Sequence, residues 1–259
     1  MSESCEGCRS GAPLDFDFTM AFQPIFDTAE AAVWGYEALI RGTDGAGAGA
    51  ILSQVSPEQR YRFDQACRVK AIELASRLFP RKNTPKLSIN FLPNAVYEPA
   101  ACLRKTLSAA RRYGFPQAAI MFEFTENEQV HEPDHLRAII AEYRKQGFVT
   151  AIDDFGAGHS GLSLLADFQP DLIKLDMKLV RDIHASRAKQ AIVAGLAGIC
   201  GELGITLLAE GVESEAEYLV LKASGIRLFQ GFWFAKPAFE ALPPVSTAAA
   251  TAAAADIAA

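Results

Sequence analysis

Leu172-Ile173-Lys174-Leu175-Asp176 is a short apolar run broken by a lysine and closed by an aspartate. Side chains alternate along a strand, so residues two apart share a face. Ile173 and Leu175 then fall on one face, and Leu172, Lys174 and Asp176 on the other. The same design recurs along the chain. In Leu87-Ser88-Ile89-Asn90-Phe91, Asn90 lies opposite the three apolar residues. Met121 and Glu123 share a face, as do Ala151 and Asp153, Leu208 and Glu210, and Leu228 and Gln230. Each segment ends on a polar residue carried by the face expected to turn inward. In a β/α barrel such strand ends converge on one mouth, and there barrel enzymes keep their chemistry.

Outward from this segment, strand-like and helix-like stretches take turns. Strands are expected at Met20–Phe26, Trp34–Ile40, Leu87–Phe91, Ala119–Phe124, Val149–Ile152, Leu172–Leu175, Ile205–Ala209 and Arg227–Phe229. Helical periodicity marks Gln59–Leu78, Ala101–Tyr113, Pro133–Gln146, Ala188–Leu203 and Ser214–Ala223. Gly114, Gly147, Gly204 and Gly225 stand where a glycine would end each of the last four helices or their like. Eight strands with helical crossovers predict an α/β fold, a TIM-like (β/α)8 barrel. The first two strands have no helix between them, which leaves room for one antiparallel strand near the N-terminus. A doubly wound open sheet is the competing architecture.

The chain has 259 residues, half of them hydrophobic and 22% charged, a length compatible with one large α/β barrel as well as with two small domains. A formal charge of −6 argues against DNA or a membrane surface as partner, since both are anionic. There is no run of about 18 apolar residues and no secretory leader pattern, so the chain is expected to be cytoplasmic. Cys5-Glu-Gly-Cys8 is half of a zinc or redox motif with no second pair to complete it. Residues 1–14 are read as a flexible tail, 15–244 as the folded domain, and 245–259 as a low-complexity, frayed, Ala-rich tail.

The mouth would gather Glu37, Asn90, Glu123, Asp153, Asp154, Lys174, Glu210 and Gln230. Any one acid ending a strand is more often a helix cap or a solvated charge; recurrence at successive strand ends is the signal. So many carboxylates repel one another unless cations compensate. Lys174 supplies one. Hard divalent ions would supply the rest, and carboxylate plus amide oxygens suit Mg2+ or Mn2+ better than zinc. Two such ions form a clamp for in-line displacement at phosphorus. Other patterns fail on context. His131 and His135 lack HExxH surroundings, Asp153-Asp154-Phe155-Gly156 lacks the rest of a kinase, and Gly156, Gly158 and Gly161 lack the acidic ribose partner of a dinucleotide site.

Taken together the segments resemble the EAL domain. The resemblance runs through Phe22-Gln23-Pro24-Ile25, Tyr36-Glu37-Ala38-Leu39-Ile40-Arg41, Ser88-Ile89-Asn90, Glu123-Phe124-Thr125-Glu126, Ile152-Asp153-Asp154-Phe155-Gly156, Ile173-Lys174-Leu175-Asp176, Ala209-Glu210-Gly211-Val212-Glu213 and Gln230-Gly231-Phe232, ending near Lys236-Pro237. It implies hydrolysis of cyclic di-GMP to linear pGpG with two Mg2+ or Mn2+ ions, Ca2+ being inhibitory. It further implies Glu37, Asn90, Glu123, Asp153, Asp154 and Glu210 as metal ligands and Lys174 as the residue that handles the attacking water. Glu126 would steady the loop after Asp153-Asp154, a loop that forms the homodimer interface in the family. Gln23, Leu39, Arg41, Asp176, Glu213 and Gln230 would contact substrate. Ala157 and His159 stand where the family more often has Thr and Tyr. The alternative is a catalytically weak domain that serves as a cyclic di-GMP receptor or a protein-interaction module, with a separate regulatory protein as partner.

Overall fold

The computed structural model describes residues 13–96, 98–125, 133–158 and 161–257. Nine strands are present among them: β1 (Phe18–Asp27), β2 (Ala32–Gly42), β3 (Lys86–Asn90), β4 (Ile120–Thr125), β5 (Val149–Phe155), β6 (Leu172–Leu175), β7 (Thr206–Ala209), β8 (Leu228–Phe229) and β9 (Ala238–Phe239). The helices are α1 (Ala48–Leu52), α2 (Arg60–Leu78), α3 (Pro99–Tyr113), α4 (Pro133–Lys145), α5 (Gly161–Asp167), α6 (Met177–Val180), α7 (Arg187–Leu203), α8 (Glu215–Ala223) and α9 (Thr247–Ile257).

Strands β2 to β8 pair in parallel and in sequence order. β1 closes the ring by pairing antiparallel with both β2 and β8. The sheet is therefore a closed eight-stranded barrel, and the open-sheet alternative is excluded. The antiparallel strand follows from sequence. β1 and β2 are joined by a four-residue turn, too short for the crossover that a parallel pair needs. β9 lies outside the ring, against β1 at Ala21 and Phe22.

The barrel interior is filled by Ile25, Met121, Ala151, Leu172, Leu208 and Leu228, one from each of six strands. Trp34 packs against this layer. It can do so because the β1–β2 register skips it: Ile25 faces Gly35 and Phe26 faces Val33. Such a bulge re-aims one side chain without breaking the sheet. The opposite strand faces, with Phe22, Ile89, Phe122, Ile173 and Phe229, meet the helices in the larger core.

Local chemistry sets the helix limits. Ser186 Oγ accepts the N–H of Lys189 at the start of α7, and Ser214 with Glu217 forms a capping box on α8. Gly114, Gly147, Gly204 and Gly225 all take left-handed backbone, with φ between 64° and 88°. None of the described helices is long and apolar enough to cross a membrane.

The Ala-rich segment corrects one expectation. It is not frayed over its described length but forms α9, whose Ala249 and Ala253 are fully buried. Ser246 fastens it: its N–H donates to Phe234 O, its Oγ donates to Trp233 O and accepts from Ala249 N–H. Alanine is the strongest helix former, so a run dismissed as low complexity folds once a cap and a docking surface exist. Deleting residues 246–259 is expected to lower the thermal midpoint by about 2–6 °C, the worth of roughly 1–2 kcal/mol of burial. A midpoint unchanged in calorimetry would mean that α9 contributes nothing.

Candidate active site

One step toward the C-terminal strand ends from the apolar interior layer, every strand changes character. Two residues beyond Met121, Ala151, Leu172, Leu208 and Leu228 come Glu123, Asp153, Lys174, Glu210 and Gln230. On antiparallel β1 the same level is reached two residues earlier than Ile25, at Gln23. Glu37 pairs with Gln23 across the β1–β2 ladder and with Ser88 across the β2–β3 ladder. The alternation read from sequence thus holds around the barrel.

Lys174 is at the centre and has no solvent exposure. Its Nζ lies 2.5 Å from Glu210 Oε1, 3.1 Å from Asp153 Oδ1, 3.2 Å from Glu123 Oε2 and 3.4 Å from Glu37 Oε2. Asn90 Nδ2 donates to Glu37 Oε1 at 3.1 Å and to Glu123 Oε1 at 3.0 Å. Gln230 Nε2 donates to Glu37 Oε2 at 2.7 Å and to Gln23 Oε1 at 3.2 Å, and Gln23 Nε2 donates to Ala235 O. Ser88 Oγ donates to Glu123 Oε2 at 2.5 Å. The sequence reading missed Ser88, although it sits two residues before Asn90 on the same face.

Burial disfavours an ammonium, yet the charges of Asp153, Glu123, Glu210 and Glu37 outweigh it and hold the Lys174 pKa well above that of ordinary lysine. Burial, reinforced by neighbouring carboxylates, pushes Glu123 and Glu210 well above the usual carboxylate range in spite of Lys174. Glu37 goes the other way: burial would raise it, but Lys174 and the donors Gln230 and Asn90 bring it down. Half-buried Asp154 is pushed up to about 6 by burial and by the charges of Asp153 and Asp176.

Asp153 and Asp154 both reach the mouth because β5 bulges there. Ile152 pairs with Ile173 and Phe155 with Leu175, so two aspartates span the place of one lysine. Asp154 absorbs the extra residue in left-handed backbone, φ 55°, a region aspartate tolerates better than most side chains.

Four carboxylates around one ammonium leave the group short of positive charge. Two triplets offer oxygens within 4.8 Å of one another: Glu37, Glu123 and Asp153, and Asp153, Asp154 and Glu210. They share Asp153. Hard oxygen donors with a charge deficit suit Mg2+ or Mn2+, so the residues fit the ions that the sequence implied.

Beside the triplets lies a cleft of about 310 Å³ lined by Gln23, Glu37, Asp153, Asp154, Glu210, Glu213 and Gln230, with Met177 and Phe232 as apolar walls. Gly231 makes the floor possible, since a Cβ there would lie 2.1 Å from Val212 O. Three expected substrate contacts lie elsewhere. Leu39 lines an apolar crevice with Asn90 and Leu92. Arg41 lines a separate hollow with Thr43 and Phe239 and donates to Ile40 O. Asp176 is buried and caps α6 by accepting the N–H of Lys178. Glu213 is at the cleft but already paired with Arg181 at 2.6 Å. Glu126, His131, His159, Cys5 and Cys8 lie outside the described residues.

A β/α barrel with a lysine-centred carboxylate cluster at its C-terminal mouth defines a class of site able to hold divalent cations. The chain belongs to the EAL-domain family, whose profile matches residues 12–237. It is 30% identical over 226 residues to the blue light- and temperature-regulated antirepressor BluF of Escherichia coli, covering 87% of this chain and 56% of BluF. It is 28% identical over 227 residues to the cyclic di-GMP phosphodiesterase PA2567 of Pseudomonas aeruginosa, covering 85% and 38%. The chain thus spans about half or less of these curated relatives. Among solved structures, a standalone EAL protein of Vibrio cholerae O395 in its c-di-GMP-bound form is similar with 54% identity and TM-score 0.86, covering 90% of this chain and 98% of that one. Klebsiella pneumoniae BlrP1, solved with manganese and cyclic di-GMP, follows at 40% identity and TM-score 0.82, covering 88% and 59%.

Proposed function

We propose that this chain hydrolyses cyclic di-GMP to linear pGpG at a site of two divalent metal ions. The observation that carries the reading is Asp153, common to two oxygen triplets that meet around a buried lysine. When bound, the ions supply Lewis-acid charge for displacement at a phosphodiester. Glu37, Asn90, Glu123, Asp153, Asp154 and Glu210 hold them. Lys174, buried among these carboxylates, holds the attacking water at Nζ, fixes its direction and helps its deprotonation. Gln23 and Gln230 orient substrate at the cleft, and Met177 and Phe232 offer apolar surface to a nucleobase. Arg41 and Leu39 contact substrate from outside this cleft, and Asp176 acts through the turn it caps. The cyclic di-GMP-bound Vibrio neighbour and the Pseudomonas phosphodiesterase support the substrate; BlrP1, solved with cyclic di-GMP and either manganese or calcium, supports a divalent ion. Homodimerisation through the loop after Asp153-Asp154, steadied by Glu126, belongs to the same proposal and is tested by sedimentation.

The test is incubation with cyclic di-GMP and Mg2+ or Mn2+, with products separated by chromatography. Formation of pGpG is expected; binding without turnover would favour a receptor role, which the antirepressor name of BluF makes worth distinguishing. Ca2+ is expected to support turnover roughly a hundredfold less well than Mg2+, because its longer bonds displace reacting groups by fractions of an ångström. Equal rates with Ca2+ would contradict the two-ion geometry.

A further inference from the structure

Between the outer face of the barrel and its helices lies an ion pair that takes no part in the mouth. Asp64 and Arg68 stand one turn apart on α2 and are both buried, Arg68 completely. Arg68 Nη2 is 2.7 Å from Asp64 Oδ2. Arg68 Nη1 donates to Tyr143 Oη on α4 at 2.9 Å. The guanidinium also lies 5.1 Å from the ring centre of Phe122 on β4 and 5.5 Å from that of Phe91, just past β3. Aromatic faces stabilise a cation so placed and hold it still.

The second oxygen of Asp64 leaves the pair. Asp64 Oδ1 accepts the backbone N–H of Leu92 at 3.0 Å. Leu92 is two residues beyond Asn90, and between them Phe91 N–H donates to Glu123 O at 2.9 Å. The loop leaving β3 is thus fastened on both sides just after the residue that bridges Glu37 and Glu123.

A buried ion pair is a poor means of stabilising a helix–sheet layer. Apolar side chains of similar size often serve as well or better, because neither charge must be dehydrated. A carboxylate fixed by a rigid cation is, however, a good anchor for a loop amide. Groups that orient metal ligands from behind change metal affinity typically by about 10–100-fold.

We infer that Asp64, oriented by Arg68, is a positioning residue for Asn90: its hold on the Leu92 amide fixes the loop that presents Asn90 to a divalent ion. This rests on the two-ion reading above. Asn90 Nδ2 is taken by two carboxylates, which leaves Oδ1 as the donor atom for the ion. Tyr143 and the Phe91 and Phe122 rings act one step further back, by holding Arg68.

The test is calorimetric titration of Mn2+ into the full chain without substrate. Asp64→Leu/Arg68→Leu removes the anchor and leaves no unpaired charge; it is expected to fold and to bind Mn2+ about tenfold or more weakly. Asp64→Asn/Arg68→Leu restores an acceptor for Leu92 without the cation that orients it, and should recover only part of the lost affinity. Asn90→Ala should itself weaken binding, and in that background the leucine pair should cost nothing further, as coupled residues require. Unchanged affinity in the leucine pair, or the same loss with Asn90 already removed, would overturn the inference while leaving the two-ion reading intact. Unchanged affinity in Asn90→Ala would instead remove Asn90 from the ligand set and the inference with it. Should the leucine pair not fold, hydrogen exchange on the unmodified chain decides: the Leu92 amide is expected to be protected, and exchange at a free-loop rate would overturn the anchor.

Discussion

Lys174→Ala is expected to lower turnover of cyclic di-GMP by about a hundredfold or more while substrate and Mn2+ still bind. The residue reaches four carboxylates with one ammonium and is fully enclosed. With the metals present those carboxylates have other cations, so binding survives the loss of the lysine; the donor to the attacking water does not. Without metal the outcome differs. Nothing then offsets the buried acids, and the metal-free variant should unfold at lower temperature than the unmodified metal-free chain. Mn2+ should narrow the gap, since a ligand of the folded state stabilises it.

The pH dependence has a definite sign. Glu123 and Glu210 carry raised pKa values in the fold, so the native state holds protons that the unfolded chain has released. Stability of the metal-free protein must then fall as pH rises above the unfolded carboxylate value of about 4.3, until the folded values are passed. Lys174, raised in the fold, contributes throughout the range below its unfolded value of about 10.4, and its removal steepens the fall. Melting curves across pH, with and without Mn2+, measure this. If binding collapses along with turnover in Lys174→Ala, the lysine serves charge balance alone; unchanged turnover would remove it from the chemistry.

Much of this was legible because strand periodicity is strict. Once Leu172 is inward, Lys174 must be, and the same two-residue step carries Met121 to Glu123 and Leu208 to Glu210. What was not legible came from breaks in that period and from contacts distant in sequence. Nothing in Asp153-Asp154 announces a bulge, yet only a bulge brings both to the mouth. Trp34 enters the barrel by the same kind of slip. Asp64 and Arg68 stand four apart in a helical stretch, a spacing that gives no sign of burial, and only packing against Phe91, Phe122 and Tyr143 makes them interior. The Ala-rich tail carried no amphipathic pattern, because buried and exposed positions are filled by the same residue.

Asp153→Ala is expected to reduce hydrolysis below about a hundredth of the unmodified rate and to bring Mn2+ stoichiometry from two to at most one. Asp153 is the one carboxylate common to both triplets, so its removal affects both ions, whereas Glu37 or Glu210 belongs to one. Stability should move in the opposite direction from activity. The charge of Asp153 is among those that push Glu123, Asp154 and Glu210 upward, so in the metal-free state its loss relieves repulsion while Lys174 still faces three acids. The metal-free variant should therefore melt no lower than the unmodified protein, and the difference should widen as pH rises above the unfolded carboxylate value. A site held short of positive charge costs stability that a bound cation restores, the usual exchange of stability for function. Near-normal turnover with two Mn2+ still bound would refute the shared-ligand arrangement. A lower metal-free midpoint would show that Asp153 serves chiefly as a partner for Lys174.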